Sequence, residues 1–167
     1  MSLFPDDIVV LASDTLEALR RAGLRGSTAE SCTGGLIAGA LTEISGSSDC
    51  IGRCFVTYSN EAKHEVLGVP QDVLKAHGAV SPQTVTEMAE GLLRIAGEDA
   101  DVAVAVSGVA GPGGGSAEKP VGTVHLAVAR RGGETETLHK VYPGDRSAIR
   151  LATVRDALTL MRAKAEG

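Results

Sequence analysis

The residues best suited to chemistry fall in three short stretches of the 167-residue chain. Ser31-Cys32-Thr33-Gly34-Gly35 combines a hydroxyl nucleophile with small residues that let a ligand approach the backbone. At a strand-to-helix junction its N–H groups would be unpaired, suited to a phosphate or to the oxyanion of an acyl transfer. An ordinary turn with Ser or Thr capping the helix accounts for the same residues equally well. The stretch is neither a P-loop nor a Gly-x-Ser-x-Gly nucleophile elbow. Tyr58-Ser59-Asn60-Glu61-Ala62-Lys63 brings a phenol and an amine together. A lysine partly stripped of water has a lowered pKa and can take a proton from a serine hydroxyl, or its cation can bind phosphate. Taken alone, an exposed lysine on a helix surface is the simpler reading. Ser107-Gly108-Val109-Ala110-Gly111-Pro112-Gly113-Gly114-Gly115 follows an apolar run and holds five glycines within eight residues. Ordering such a segment is costly in conformational entropy. A loop wrapped on a ligand would justify that cost, and a floppy connector is the alternative.

Other reactive side chains carry less. Cys32 has no obvious His–Asn partner and reads as a small packing residue. Cys50 and Cys54 are spaced like two metal ligands, but no Cys or His pair completes a tetrahedral set, and no metal is expected. His64, His77, His125 and His139 show no ligand spacing. Glu30 either orients a partner or bonds backbone. In Pro143-Gly144-Asp145-Arg146, Asp145 is a natural helix N-cap, and Arg146 either reaches a phosphate or is solvated.

Hydrophobic periodicity supplies the elements that position these stretches. A first helix runs from about Pro5 to Ala22, with Ile8, Leu11, Ala12, Thr15 and Leu19 on one face and Gly23 as its stop. Ser27–Glu30 reads as a strand, Leu36–Ile44 as a helix, Cys54–Tyr58 as a second strand and Glu61–Leu67 as a further helix. Ser81-Pro82 opens the clearest helix, with Val85, Met88, Ala89, Leu92 and Ala96 as its buried stripe. Asp101–Val106 is a strand buried on both faces. Val121–Ala129 and Thr135–Tyr142 form a hairpin whose charged second strand lies near an edge. A last helix spans about Arg146–Ala165, with Leu151, Val154, Leu158 and Met161 inward. The alternation predicts one domain over residues 1–167: an α/β fold, a three-layer α/β/α sandwich with a mixed, mostly parallel sheet of about five strands. Parallel strands would then bring all three chemical stretches to one sheet edge.

Composition sets the bounds. The chain is 43% hydrophobic but 2% aromatic and lacks Trp, so its core rests on Val, Leu, Ile and Ala. A net charge of −5 and scarce aromatics argue against nucleic acid as main partner, while leaving a nucleotide open. No stretch approaches ~18 apolar residues, so no membrane span is expected. The acidic N-terminus has no signal-peptide pattern, and an odd number of cysteines fits reduced thiols in the cytoplasm.

The combined motifs resemble the C-terminal domains of CinA proteins, the nicotinamide-nucleotide amidase family. The resemblance rests on Thr28–Gly35, Phe55–Lys63 with Leu67-Gly68-Val69, His77–Ser81, Met88–Gly91, Ala103–Gly114, Lys119–Val124 and Pro143–Arg146. It covers about residues 5–163. It implies hydrolysis of the carboxamide of nicotinamide mononucleotide, no metal or other cofactor, and a homodimer. Longer relatives carry an N-terminal molybdopterin-binding-like domain, and this chain begins directly with the amidase part. Ser107 stands where many relatives have Thr, and His125 where an aromatic is common. With the resemblance, Ser31 is expected as nucleophile and Lys63, helped by Tyr58, as its base. Backbone N–H groups around Thr33, Gly34 and Gly35 are expected on the oxyanion or the phosphate, and Asn60, Ser107, Gly108, Gly111 and Arg146 on other parts of the substrate. Direct activation of water by Ser31 and Lys63, a general amidase on small amides, and a non-catalytic pyridine-nucleotide-binding or interaction module are the alternatives.

Overall fold

The computed structural model describes residues 1–167. Strands β1 (Gly26–Glu30), β2 (Ile51–Val56), β3 (Val102–Gly108), β4 (Thr123–Arg130) and β5 (Glu136–Val141) form one sheet in the order β2-β1-β3-β4-β5. β1 runs parallel to β2 and β3, whereas β3–β4 and β4–β5 are antiparallel, so the sheet is mixed. Helices α1 (Asp6–Ala22), α2 (Leu36–Thr42) and α6 (Arg146–Glu166) cover one face; α3 (Asn60–Leu67), α4 (Gln71–His77) and α5 (Pro82–Ala96) lie on the other. This is the expected three-layer arrangement, with the charged strand β5 at an edge. No helix is long and apolar enough to cross a membrane.

The strand period of two sorts the central residues by size. Val102, Val104 and Val106 of β3 join Val124, Leu126 and Val128 of β4 in the core shared with α1, α2 and α6. Ala103, Ala105, Ala127 and Ala129 face the other way, into the core built on α5. The helices of that layer are packed tightly enough that a methyl group at Gly91 would sit 2.0 Å from the Leu67 carbonyl oxygen. α5 starts as its sequence dictates: Ser81 Oγ accepts the Thr84 N–H at 3.1 Å and Pro82 occupies the first turn. Asp145 caps α6 in the same way, accepting from the Ala148 N–H at 2.9 Å.

Two elements differ from expectation. β2 begins at Ile51 and ends at Val56, because its pairing with β1 starts at Gly26↔Ile51 and closes at Glu30↔Val56. Tyr58 is therefore released from the sheet and lies in the turn before α3. α4 has no fully buried residue, and hence no apolar stripe to mark it in the sequence.

Candidate active site

The carboxyl ends of the three mutually parallel strands converge on one cleft of about 290 Å³. Ser31 and Cys32 enter it from the end of β1, Tyr58 and Lys63 from beyond β2, and Ser107–Ala110 from the end of β3. Ala79 and Val80, just before α5, form a further wall, and Arg146 at the start of α6 closes the rim. Two surface hollows of similar size, about 340 Å³ beside Arg130–Gly133 and about 370 Å³ between α1 and α6, are lined by no Ser, Thr, Cys or His.

Lys63 is the central electrostatic feature. Its turn of α3 is fixed by Ser59, whose hydroxyl accepts the Ala62 N–H at 3.0 Å. Helical side chains lean toward the N-terminus of their helix. The Lys63 amine thus reaches back under the Thr57–Tyr58 turn and is 1% exposed. Nζ donates to the Thr57 carbonyl at 2.9 Å, to the Tyr58 carbonyl at 3.1 Å and to Ser31 Oγ at 2.9 Å. Burial lowers its pKa to about 8. The positive end of the α3 dipole acts in the same direction. Two carbonyls hold two N–H bonds in either protonation state. The third tetrahedral position is a proton in the ammonium and a lone pair in the amine, and it faces Ser31 Oγ in both.

The structure also places what the sequence left open. Glu30 is fully buried and bonds backbone. Its carboxylate accepts from Thr33 Oγ1 at 2.6 Å and from the N–H groups of Gly35, Ile37 and Ala38 at 3.2, 2.9 and 2.9 Å. The expected anion site at Thr33, Gly34 and Gly35 is corrected accordingly. The start of α2 already holds a carboxylate, the Gly34 N–H is bonded to the Ser31 carbonyl, and none of the three residues lines the cleft. Asn60 opens α3 in a separate groove with His64 and Lys75, away from Ser31. Tyr58 meets Lys63 through its main-chain carbonyl; its side chain is exposed at the cleft and makes no hydrogen bond within the chain.

Ser107, Gly108, Gly111 and Arg146 do line the cleft. Arg146 Nη1 donates to the Gly111 carbonyl at 2.7 Å and so ties the glycine loop to α6. Several of the glycines have a packing reason: a methyl group at Gly108 would meet Val124 at 2.6 Å, and one at Gly111 would meet Val121 at 2.4 Å. Cys32 packs in the core with its thiol pushed up to about 11 by burial, which leaves it protonated. His125 stacks on His139 across β4–β5, ring centroids 4.4 Å apart. Burial, then the neighbouring His139 and Lys119, lowers its pKa to about 4.

One further residue escaped the sequence reading. Arg150 of α6 donates from Nε to the Cys32 carbonyl at 3.0 Å and from Nη2 to the Thr33 carbonyl at 3.1 Å. Its spacing of four from Arg146, which puts both on one helix face, was the available signal.

The CinA C-terminal domain model matches residues 9–165. The chain belongs to the CinA C-terminal domain family. Within that family it is 56% identical over 146 residues to the nicotinamide-nucleotide amidohydrolase PncC of Enterobacter agglomerans, covering 87% of this chain and 88% of that one. It is 49% identical over 152 residues to PncC of Escherichia coli K12, covering 91% of each. It also matches a longer CinA-like protein of Akkermansia muciniphila, 56% identical over 140 residues, covering 84% of this chain and 33% of that one; the chain spans about a third of that relative. Among solved structures, the competence/damage inducible protein CihA from Agrobacterium tumefaciens superposes with a TM-score of 0.94 at 55% identity, covering 98% of both chains.

Proposed function

We propose that this chain is a hydrolase of the carboxamide of nicotinamide mononucleotide, releasing nicotinate mononucleotide and ammonia, with Ser31 as nucleophile and Lys63 as its general base. The observation that carries the chemistry is the 2.9 Å contact between Ser31 Oγ and a buried Lys63 Nζ whose other two tetrahedral positions donate to carbonyls. The substrate comes from the two PncC relatives, each named a nicotinamide-nucleotide amidohydrolase and each matched over most of its length. The cleft agrees in charge: Lys63 and Arg146 line it and no Asp or Glu does, which suits an anionic nucleotide. Arg146 spends one donor on Gly111, leaving most of its fork free for phosphate. The exposed Tyr58 ring can stack on the cationic pyridinium. Ser107, whose hydroxyl has no partner within the chain, is free for a substrate oxygen or amide.

In the reaction, neutral Lys63 takes the proton of Ser31 as Oγ bonds to the carboxamide carbon. The carbonyl oxygen becomes an oxyanion, met by the Cys32 N–H, the amide next after the nucleophile. As the oxyanion collapses, the C–N bond breaks and Lys63 passes its proton to the leaving nitrogen, giving ammonia and a Ser31 ester. Water then attacks the ester, Lys63 takes the water proton and returns it to Ser31, and nicotinate mononucleotide leaves. One water is consumed, and Ser31 and Lys63 return to their starting states. The three free cysteines fit a reducing, cytoplasmic setting.

Two tests bear on this reading. Hydroxylamine added to the purified protein with nicotinamide mononucleotide is expected to divert product to the hydroxamate without slowing ammonia release, because both nucleophiles compete for one acyl-enzyme; ammonia release without any hydroxamate at saturating hydroxylamine would point to direct water attack. Tyr58→Phe is expected to keep kcat/KM within about threefold, and Tyr58→Ala to raise KM about fivefold, the loss of a ring contact worth ~1 kcal/mol. A hundredfold fall in kcat for Tyr58→Phe would instead put the phenol in the proton transfers.

A further inference from the structure

We propose that Arg150 is the positioning residue of this site. Its guanidinium locks the peptide units after Ser31 so that the Cys32 N–H is held ready for the oxyanion, a role that rests on the amide-hydrolysis reading above. Within Ser31–Gly35 nearly every polar backbone group is engaged. The Ser31 N–H bonds the Val106 carbonyl, and the Gly34 N–H bonds the Ser31 carbonyl at 3.0 Å. The Gly35 N–H bonds Glu30, and the Cys32 and Thr33 carbonyls both accept from Arg150. Among the N–H groups of this stretch, those of Cys32 and Thr33 alone have no partner within the chain. These residues are 6% and 0% exposed. Buried amides without a partner are rare, because leaving one unmade is costly. Cys32 lines the cleft and Thr33 does not, so a ligand oxygen beside Ser31 is the partner that the Cys32 N–H lacks.

The direction of this donor follows from the peptide plane. A trans peptide sends N–H opposite its C=O. Holding the Thr33 carbonyl on Arg150 fixes the Gly34 N–H of the same peptide, and that N–H holds the Ser31 carbonyl and so orients the Cys32 N–H. Without the clamp the Cys32–Thr33 peptide is free to rotate, and a carbonyl dipole could face the developing negative charge. Charge alone does not do this work: a planar fork holds two carbonyls in fixed directions, and a lysine ammonium does not.

The test compares Arg150→Lys and Arg150→Ala with wild type in two assays at the same pH. One is ammonia release from nicotinamide mononucleotide, and the other is the rate at which an aryl sulfonyl fluoride labels Ser31. A loosened oxyanion donor is expected to lower kcat about 10²-fold in both variants, with KM within about threefold. Labelling of Ser31 should slow in parallel, while the pH midpoint of kcat/KM stays near the Lys63 value of about 8. Exogenous guanidinium ion should restore part of the Arg150→Ala rate, which a merely structural role would not allow. Arg150→Lys with kcat within twofold of wild type would overturn the proposal, as would a kcat loss matched by loss of fold. If Arg150→Ala does not fold, the lysine variant decides. If wild type labels Ser31 but releases no ammonia, the substrate reading falls and the labelling rates still decide for Arg150.

Discussion

Lys63→Met is expected to lower kcat/KM for nicotinamide mononucleotide by about 10³–10⁴-fold, the usual contribution of a general base that also activates the nucleophile. Methionine fills much of the same space, so the loss should come with a folded protein. The wild-type pH profile carries the same claim. Only the neutral amine can accept the Ser31 proton, and burial sets its pKa at about 8. kcat/KM should therefore rise tenfold per pH unit below that value and level off above it. Stability responds in a defined direction. The folded pKa of about 8 lies below the 10.5 of the free side chain. Between these values the unfolded chain binds more protons, so wild-type stability gains with rising pH. Below about 8 the full penalty of a buried ammonium is present. Lys63→Met escapes that penalty. Its thermal midpoint relative to wild type should be highest near neutral pH and fall as pH approaches 10. A variant whose relative stability ignores pH would mean that the Lys63 amine is not desolvated.

Ser31→Ala is expected to cost at least about 10⁴-fold in kcat while leaving substrate affinity within tenfold, because the serine forms a bond only in the reaction. Residues that act as one unit are not additive. The double variant Ser31→Ala, Lys63→Met should thus be no slower than the worse single variant by more than about threefold. Additive losses would show that the two residues serve separate steps. The alanine removes one of three acceptors around Nζ and leaves the Thr57 and Tyr58 carbonyls in place. Its stability cost should be near 1 kcal/mol, small enough that lost activity is not lost fold.

The site's gathering at one edge was legible because strand ends, polar clusters and glycines coincide three times in a chain whose elements alternate. The apolar run before Ser107 and the stripe Val85, Met88, Ala89, Leu92 and Ala96 were equally plain, and all five stripe residues are buried. What stayed hidden depends on non-local direction. The small residues after Ser31 look like an anion cradle in any reading of the chain, yet the Glu30 side chain folds forward and takes the Gly35, Ile37 and Ala38 N–H groups. Gly108 and Gly111 suggest a ligand loop, and much of their need for glycine comes from Val121 and Val124, more than nine residues away in sequence. β2 began early because an edge strand such as Ile51-Gly52-Arg53 exposes most of its residues and shows no period. Tyr58 was expected to act through its phenol, and the backbone instead offers Lys63 a carbonyl. Arg150 could be placed only once α6 had been packed against the loop after β1.

The most direct measurement is mass mapping of acid-quenched protein during turnover of nicotinamide mononucleotide, with ammonia read in the same samples and Ser31→Ala alongside. A nicotinate mononucleotide acyl group is expected on the Ser31 peptide of the wild type, and neither the acyl group nor ammonia above background from Ser31→Ala. Ammonia released at the wild-type rate by folded Ser31→Ala protein would contradict that expectation.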